Sequence, residues 1–462
     1  MTQTIPTADY PFVDGYPLPI SAAQARDDAL FQRAVTAYRF WYPTVSAEGV
    51  FQGNRDVGIA DGEGMGLVAA GPRQVGFTLN SDTPYGATAI DLTDGPVVVD
   101  IPPGPYIGLV DDRHQRWILD LGIPGPDQGK GGRHLILPPG YEGEPPPGFH
   151  VGRSATNLVL LAIRALPLDG DMPKALAALR AVKVHPLDAP DRLLEYTDNT
   201  ARAVDASCLR WENGLDFWRV LHTVLDAEPV TEEFRPMHGL LTALGIGKGR
   251  PFAPDDRTAA ILERAAVAAK AQMLISAFAS DRPDRLAWPD RRWEWVGLVP
   301  DDADFETPAG LDLEARDRWF IQAIVASPAM FRRSQGAGSL YWLGLRDTDG
   351  AYLDGGAGYR LTVPAPVPAE LFWSVTVYDA QTRSEVTTAQ DKAALRSLVE
   401  LADITPGVPI DLYFGPSAPP QHAGTRWIQT EPGRGWFAYF RIYGPQPAAF
   451  DGGWKPGDFE RL

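Results

Sequence analysis

The sequence is short of the features that mark secreted and membrane-embedded proteins. It has one cysteine, Cys208, among 462 residues, so no intramolecular disulfide can form. It contains no uninterrupted run of about 18 apolar residues, the length that a membrane-spanning helix needs. Residues 1–8 lack the basic stretch and following apolar segment of a signal peptide. We therefore predict a cytoplasmic protein without a membrane partner.

Several common catalytic and cofactor-binding motifs are also missing. No serine lies in a Gly-x-Ser-x-Gly elbow, and there is no Walker loop. The glycine-rich runs at 62–66 and 245–249 do not match the dinucleotide-binding pattern, and we interpret them as turns. The seven histidines show no zincin spacing. We therefore predict no cofactor and no transition-metal site.

The balance of charge excludes a further class of partner. The 59 acidic and 42 basic side chains give a net charge of −17. This charge opposes binding to the phosphates of nucleic acids and to anionic lipid headgroups. A small-molecule substrate remains as the predicted partner, and a homo-oligomer interface that uses some of the 13 tryptophans is a further hypothesis.

What the sequence has in abundance is turn residues between short β-type runs. The 46 glycines and 43 prolines gather between β-branched and aromatic segments, which predicts a mainly β fold with helical segments (α+β). The chain exceeds the roughly 250–300 residues that one core supports, so several units are expected. We predict an N-terminal antiparallel β-rich domain with a leading helix (1–170), a mainly helical connecting region (171–335) and a C-terminal jelly-roll-like β-sandwich (336–462).

Hydrophobic periodicity locates individual elements. A capping-box pattern at Ser21 and Gln24 predicts a helix that runs to about Tyr42. Another helix is predicted near 313–326. Predicted strands lie at 86–92, 97–101, 106–110, 117–121, 359–363, 371–378, 410–414 and 436–443.

The first candidate site lies in the N-terminal β-module. Asn80, Asp82 and Tyr85 bring an amide, a carboxylate and a phenol into one short loop, which can position a substrate or move a proton. Asp111 and His114 follow a predicted strand, where acids beside an imidazole can serve as acid and base. The alternative is that Asn80 and Asp82 form Asx turns and that the second segment is a solvated hairpin tip.

A second candidate site lies on the last predicted strands. Arg441 stands between two tyrosines, an arrangement suited to holding a carboxylate or a sugar. The alternative is an ion pair between Arg441 and Asp379 that stiffens the sandwich. The predicted substrate-binding residues are Trp373, Tyr378, Tyr439, Arg441 and Tyr443.

The run Arg346–Gly350 is a weaker candidate for calcium binding. Its aspartates offer oxygen ligands, but the run lacks the remaining ligands and the final glutamate of an EF-hand. We therefore predict a hairpin turn there, with calcium kept as the alternative.

These motifs resemble a known bacterial two-domain family. The pattern Asn80-x-Asp82-Thr83-x-Tyr85 is similar to the domain of unknown function 1254, and Arg441-x-Tyr443-Gly444-Pro445 with Phe372-Trp373-Ser374 is similar to its usual C-terminal companion, the domain of unknown function 1214. The resemblance implies a β-rich N-terminal domain, helical connecting segments and a jelly-roll-like C-terminal sandwich. It implies no particular reaction, and relatives of this family are frequently exported.

Two functional hypotheses follow. The first is a hydrolase or lyase that acts on a small organic or carbohydrate-like substrate in a cleft between β-domains, with Asp82 or Asp111 as base, Tyr85 as acid and Asn80 as orienting amide. The second is a non-catalytic protein that binds a carbohydrate or another small ligand on the aromatic and arginine face of the C-terminal sandwich.

Overall fold

The computed structural model describes residues 10–300, 302–334, 338–404, 407–419 and 425–462. Its helices are α1 (Pro19–Asp56), α2 (Met172–Leu179), α3 (Leu215–Ala227), α4 (Arg235–Ala243), α5 (Asp256–Phe278), α6 (Leu313–Phe320) and α7 (Pro328–Phe331). Across the described ranges, no helix combines the length and the apolar character needed to cross a bilayer.

The first fourteen strands belong to the N-terminal part of the chain. They are β1 (Phe12–Val13), β2 (Tyr16–Pro17), β3 (Gly64–Ala69), β4 (Gln74–Val75), β5 (Pro84–Asp91), β6 (Val97–Ile101), β7 (Tyr106–Asp112), β8 (Trp117–Gly122), β9 (Gly132–Leu137), β10 (His150–Arg153), β11 (Leu158–Ala165), β12 (Lys183–Pro186), β13 (Glu195–Asp198) and β14 (Val204–Asp205).

The remaining strands follow the helices α3 to α5. They are β15 (Glu294–Trp295), β16 (Glu306–Thr307), β17 (Gly310–Leu311), β18 (Ser339–Gly344), β19 (Tyr359–Val363), β20 (Ala369–Asp379), β21 (Ala394–Arg396), β22 (Ile410–Gly415), β23 (Trp427–Gln429), β24 (Trp436–Pro445) and β25 (Phe459–Arg461). The predicted α+β class, rich in strands, is confirmed.

The N-terminal β-unit contains a six-stranded sheet with the order β13-β3-β5-β11-β7-β8 and a four-stranded sheet with the order β10-β9-β6-β12. The central pairs are antiparallel as predicted, but the edge pairs β13–β3 and β10–β9 are parallel. Alternation along β11 places Val159, Leu161 and Ile163 in the core of this unit. The intervening side chains, which include Arg164, face the opposite way, towards the rest of the protein.

The C-terminal unit is a sandwich of two sheets. One sheet has the order β15-β18-β24-β20-β21 and the other has the order β23-β22-β19-β25. Trp342, Val375 and Phe440 from the first sheet pack with Leu361 and Leu412 from the second in a buried core. The outer face of the first sheet is turned towards the N-terminal β-unit and carries polar aromatic side chains.

The first helix is longer than predicted and packs with the helical middle of the chain. It begins at Pro19 and continues past the internal Pro43 to Asp56. The predicted capping box is wrong, because Ser21 lies inside the helix and its hydroxyl donates to the carbonyl of Pro11. Trp41 and neighbouring side chains of α1 share one core with α3, α4, α5 and α6. The three domain ranges stay a prediction, although α1 packs with the helical region rather than with the N-terminal sheets.

Most strand predictions agree with the structure to within two residues, whereas the helix predicted near 313–326 ends early. It stops at Phe320, and the chain continues as an irregular segment in which Val325 has a positive φ of 62°. The amide of Val325 donates to Gln115 Oε1 and the amide of Ala326 donates to Asp111 Oδ2. Side chains that are distant in sequence therefore hold this segment out of a helix.

Alanine substitutions at two helical glycines, Gly49 in α1 and Gly239 in α4, test how closely α1 is packed. A Cβ added at Gly49 would lie 2.6 Å from the Ser207 carbonyl carbon, whereas a Cβ at Gly239 in α4 meets no atom within 4 Å. We expect Gly49→Ala to lower the free energy of unfolding by about 1–3 kcal/mol through overpacking. Gly239→Ala is expected to raise it by about 0.5–1 kcal/mol through helix propensity. Urea denaturation measures both changes, and equal effects would contradict the close approach at Gly49.

Candidate functional site

A cavity of about 170 Å³, which we call the central cavity, lies between the two β-units. One wall is the face of the six-stranded sheet that points away from its own core, and the other is the outer face of β18 and β24. The segment that follows α6 closes it between these walls. The described residues that line it include Tyr85, Leu109, Asp120, Arg164, Ile324, Met330, Tyr341, Tyr439 and Arg441.

Strand alternation determines which side chains reach the C-terminal wall. On β24, Tyr439, Arg441 and Tyr443 point towards the N-terminal unit, while Phe440 and Ile442 point into the sandwich core. Tyr341 on β18 is the direct cross-strand partner of Arg441. The alternating pattern on the last strand thus indicated the face that these side chains share, and Tyr439 and Arg441 of that face line the central cavity.

Arg441 is the most unusual group in the central cavity. Its side chain is buried, with 2 % of the residue exposed, and Nη2 donates to the carbonyl of Thr78 at 2.9 Å. Its Nε and Nη1 atoms have no hydrogen-bond partner among the described residues. Burial by itself lowers the pKa of Arg441, but the Tyr378 and Tyr443 phenols raise it above the usual value, so the guanidinium stays charged. A buried cation with two free donors therefore faces the cavity.

Arg164 brings a second positive charge from the opposite wall. It pairs across the sheet with Tyr85 and its guanidinium lies over the Tyr85 ring at 5.6 Å and over the Tyr443 ring at 5.9 Å. Its Nη1 donates to Tyr443 Oη at 3.3 Å. No ion pair joins Arg164 or Arg441 to a carboxylate in the described part of the chain. Both guanidiniums are held by phenols and by one carbonyl, which leaves their charge uncompensated by a direct ion pair.

The segment from Asn80 to Tyr85 enters β5 beside this cavity. Asn80 Oδ1 accepts the amide of Asp82 at 3.1 Å, which is an Asx turn, and the amide of Asn80 donates to Tyr85 Oη at 3.3 Å. Burial raises the pKa of Tyr85. Asn80 and Tyr85 line the cavity, so the local turn and the contribution to the cavity wall occur together in one loop.

Asp82 lies behind the wall rather than in it. Its Oδ2 accepts hydrogen bonds from Ser374 Oγ at 2.8 Å and from Tyr443 Oη at 3.2 Å, while Oδ1 has no partner among the described residues. The neighbouring hydroxyl of Ser81 donates to Glu385 at 2.6 Å, and burial raises the pKa of Glu385 to about 7. This buried acidic cluster joins the two β-units and supports the tyrosine that contacts Arg164.

Asp120 is the carboxyl group that does line the central cavity. It lies on β8 opposite Leu109, and its Oδ1 is buried without a hydrogen-bond partner in the described residues. Burial raises its pKa to about 6, and the nearby Ser327 and Trp117 offset this rise only in part. A carboxyl group that titrates near neutrality can act as a general acid or base.

Tyr378 and Trp373, two further predicted site residues, lie in different places. Tyr378 is buried next to Arg441, and its hydroxyl donates to the carbonyl of Leu79 at 2.6 Å. Trp373 does not share the face of Tyr439 and Tyr443, because its position on β20 turns the indole into the sandwich core, stacked on Phe440 at 5.4 Å.

Asp111 and His114 are not solvated and do not meet the first group. Asp111 is fully buried, its Oδ2 accepts the amide of Ala326, and burial raises its pKa well above the usual value. His114 lines a different cavity, and burial lowers its pKa to about 3. The expected cluster of Asn80, Asp82, Tyr85 and Asp111 is therefore split between a cavity wall and two buried supports.

The residues of the calcium alternative form a turn. Asp347 Oδ1 accepts the amides of Asp349 and Ala351 at 3.1 Å and 2.9 Å. Across the ranges that the structure describes, no group of three or more His, Cys, Asp or Glu side chains is arranged to hold a metal ion.

Three important residues were absent from the sequence-based site. Arg164 and Asp120 each stand as a single charge inside an apolar strand, Leu158–Ala165 and Trp117–Gly122. Burying an isolated charge on a strand costs free energy unless the charge has a partner. This feature of the sequence could have identified Arg164 and Asp120 as candidates. Tyr341 had no comparable signal, because aromatic residues are common in strands.

One solved bacterial structure shows the same overall fold. The VPA0106 protein of Vibrio parahaemolyticus is 15% identical and superposes with a TM-score of 0.59, covering 94% of this chain and 100% of its own. An uncharacterised protein from Burkholderia cenocepacia is 13% identical with a TM-score of 0.40, covering 96% and 90%. The comparison with curated proteins gave no match.

Two family models match the chain in order. The model described as "Protein of unknown function (DUF1254)" matches residues 67–186, and the model described as "Protein of unknown function (DUF1214)" matches residues 338–447. Tyr85, Asp120 and Arg164 lie in the first match, and Tyr341 and Arg441 lie in the second. The two walls of the central cavity thus come from the two matched segments. The chain therefore carries a segment that matches domain 1254 followed by a segment that matches domain 1214, in the order that the sequence motifs predicted.

Proposed function

We propose that the protein binds a small organic anion in the central cavity and that Arg441 pairs with its carboxylate. The observation that carries this proposal is the pair of buried, unpartnered nitrogen atoms of Arg441. An unpaired buried charge is strongly unfavourable, and a guanidinium fork matches the two oxygen atoms of a carboxylate. Arg164 supplies a second positive charge across the same cavity.

The size and the lining of the central cavity indicate the rest of the ligand. A cavity of about 150 Å³ in another protein holds benzene, so 170 Å³ admits a molecule of similar size. Leu109, Ile324 and Met330 offer apolar surface beyond the arginines. A sugar would leave hydroxyl groups unpaired against these side chains. The favoured ligand is therefore a small carboxylic acid with an apolar body.

The second candidate function is a hydrolase or lyase that acts on such an acid. Asp120 favours it, because this carboxyl lines the cavity and has a pKa of about 6. Tyr85 and Tyr341 supply phenols on the facing walls. If the protein is such an enzyme, Asp120 is the candidate base. The carboxylates of Asp82 and Asp111, which the sequence suggested for this role, do not line the cavity.

Replacement of Arg441 tests whether its guanidinium anchors the carboxylate of the ligand. Benzoate and its neutral counterpart benzamide are suitable probes, with binding measured by isothermal titration calorimetry. We expect Arg441→Met to weaken benzoate binding by tenfold or more, because charge-assisted hydrogen bonds contribute about 1.5–3 kcal/mol. Benzamide should bind more weakly than benzoate to the wild type.

The matched control for this experiment is Arg292→Met. Arg292 is an exposed arginine of the C-terminal part, and its Nη2 donates only to the carbonyl of Thr348 at 3.4 Å. This variant should bind benzoate like the wild type. Equal benzoate affinity in the Arg441→Met variant and the wild type would exclude Arg441 as the anchor.

Replacement of Asp120 tests the acid–base candidate through the pH dependence of stability. Its pKa is about 6 in the folded protein, above the usual 3.8. The folded state therefore holds the proton more tightly, and the stability that this gives is lost as the pH rises towards 6. We expect Asp120→Asn to raise the free energy of unfolding by about 1–3 kcal/mol at pH 7.5 and to have little effect at pH 3.5.

The exposed Asp94 provides the control for this measurement. Asp94→Asn should change stability by less than about 0.5 kcal/mol at either pH, as is usual for surface positions. If Asp120→Asn were as neutral as this control at pH 7.5, the raised pKa of Asp120 would be refuted. Undiminished turnover of an identified substrate by Asp120→Asn would refute its catalytic role.

A further inference from the structure

A second, larger cavity lies on the other side of helix α6. It has a volume of about 610 Å³ and shares no lining residue with the central cavity. Its walls come from α1, α4, α6, the turn between β7 and β8, and the β16–β17 hairpin. Leu311 and Leu313 at its rim are 38 % and 49 % exposed, so the cavity opens to solvent. Neither family motif nor the central cavity accounts for it.

Arg316 is the chemically distinctive group in the second cavity. The residue is 7 % exposed, and its Nη1 donates to the carbonyl of Phe40 at 2.7 Å. Among the described residues, no carboxylate forms an ion pair with it. The other arginines that line the cavity are already paired, Arg39 with Asp317 and Arg116 with Glu233. Asp317, Asp304 and Asp112 act on Arg316 through space, but none of the described carboxylates forms a direct ion pair with its guanidinium.

Aromatic rings surround this guanidinium. Arg316 lies over the Phe40 ring at 4.7 Å and over the Phe320 ring at 5.4 Å. Phe234 packs edge-on against Phe40 at 4.8 Å, and Phe305 packs against Phe320 at 5.5 Å. All four phenylalanines line the cavity. Rings prefer such edge-to-face and offset contacts, so this wall suits another aromatic ring.

His114 adds a polar group that the central cavity does not use. It is 1 % exposed, its Nδ1 lies 3.0 Å from Thr44 Oγ1, and its Nε2 has no partner among the described residues. Burial, His238 and Arg113 lower its pKa to about 3, so the imidazole is neutral near pH 7. With its proton on Nε2 the imidazole accepts from the Thr44 hydroxyl and can donate to a ligand oxygen, and with its proton on Nδ1 these two roles are reversed.

We propose that the second cavity binds an aromatic carboxylate, with the carboxylate paired to Arg316 and the ring packed among Phe40, Phe234, Phe305 and Phe320. The volume of 610 Å³ lies within the range of about 300–1,000 Å³ that is usual for small-molecule sites. It admits a larger ring system than the central cavity does. The proposal stands independently of the central cavity, because the two sites have different arginines.

The test uses 2-naphthoate, with 2-naphthamide as its uncharged counterpart, and calorimetric titration of the full-length Arg441→Met protein. This background removes the anchor of the central cavity. We expect one naphthoate to bind per chain, at least tenfold more tightly than the amide. Adding Arg316→Met should weaken naphthoate binding by tenfold or more. Adding Arg264→Met should not, since Arg264 is an exposed arginine stacked on Phe31 outside the cavity.

Two results would overturn the proposal. One is equal binding of naphthoate and naphthamide to the Arg441→Met protein, which remains decisive if the Arg316 variant does not fold. The other is a folded double variant that binds naphthoate as tightly as the Arg441→Met protein. Weakened benzoate binding in Arg441→Met, combined with naphthoate binding that is retained there and then weakened by Arg316→Met, would support both sites separately.

Discussion

The arrangement of the two β-units depends on how the segment from Thr78 to Asp82 satisfies buried polar groups of the C-terminal sheet. The carbonyl of Thr78 accepts from Arg441, the carbonyl of Leu79 accepts from Tyr378, and Asp82 accepts from Ser374 and Tyr443. Buried donors without partners are costly, so these contacts specify one way for the sheets to meet. The central cavity is the space that these contacts leave open between the facing sheets of the two β-units.

These contacts between the two β-units also explain why the Asn80–Asp82 segment stabilises the fold and yet lies close to the central cavity. Its turn geometry is local, since Asn80 Oδ1 caps the amide of Asp82. Its carboxylate is directed to the partner sheet and not to the cavity. Tyr85, three residues after Asp82, is on the first strand position from which a side chain reaches the cavity, and it pairs there with Arg164. A short sequence pattern can therefore contain both a structural carboxylate and a residue that lines the cavity.

The strands and the shared face of the last strand were predictable from the sequence because both depend on period-two alternation. Tyr439, Arg441 and Tyr443 share a face on any strand, and the structure has them on one. Trp373 could not be placed in the same way, because the face it takes depends on the register of β20 with β24. Whether Asp111 lies beside Asn80 could not be predicted either. It depends on the path of the segment after α6, which Gln115 and Asp111 hold by contacts over more than two hundred residues.

Helix α6 has a consequence for the relation between the two cavities. It has eight residues, and its last two, Trp319 and Phe320, line the central and the second cavity respectively. Were both cavities occupied, the two ligands would touch adjacent side chains of one rigid element. Any shift of this helix that one ligand favours would alter the affinity of the other by a free energy that is equal in both directions. Through helix α6, ligand binding in one cavity can therefore change the ligand affinity of the other, although the cavities share no lining residue.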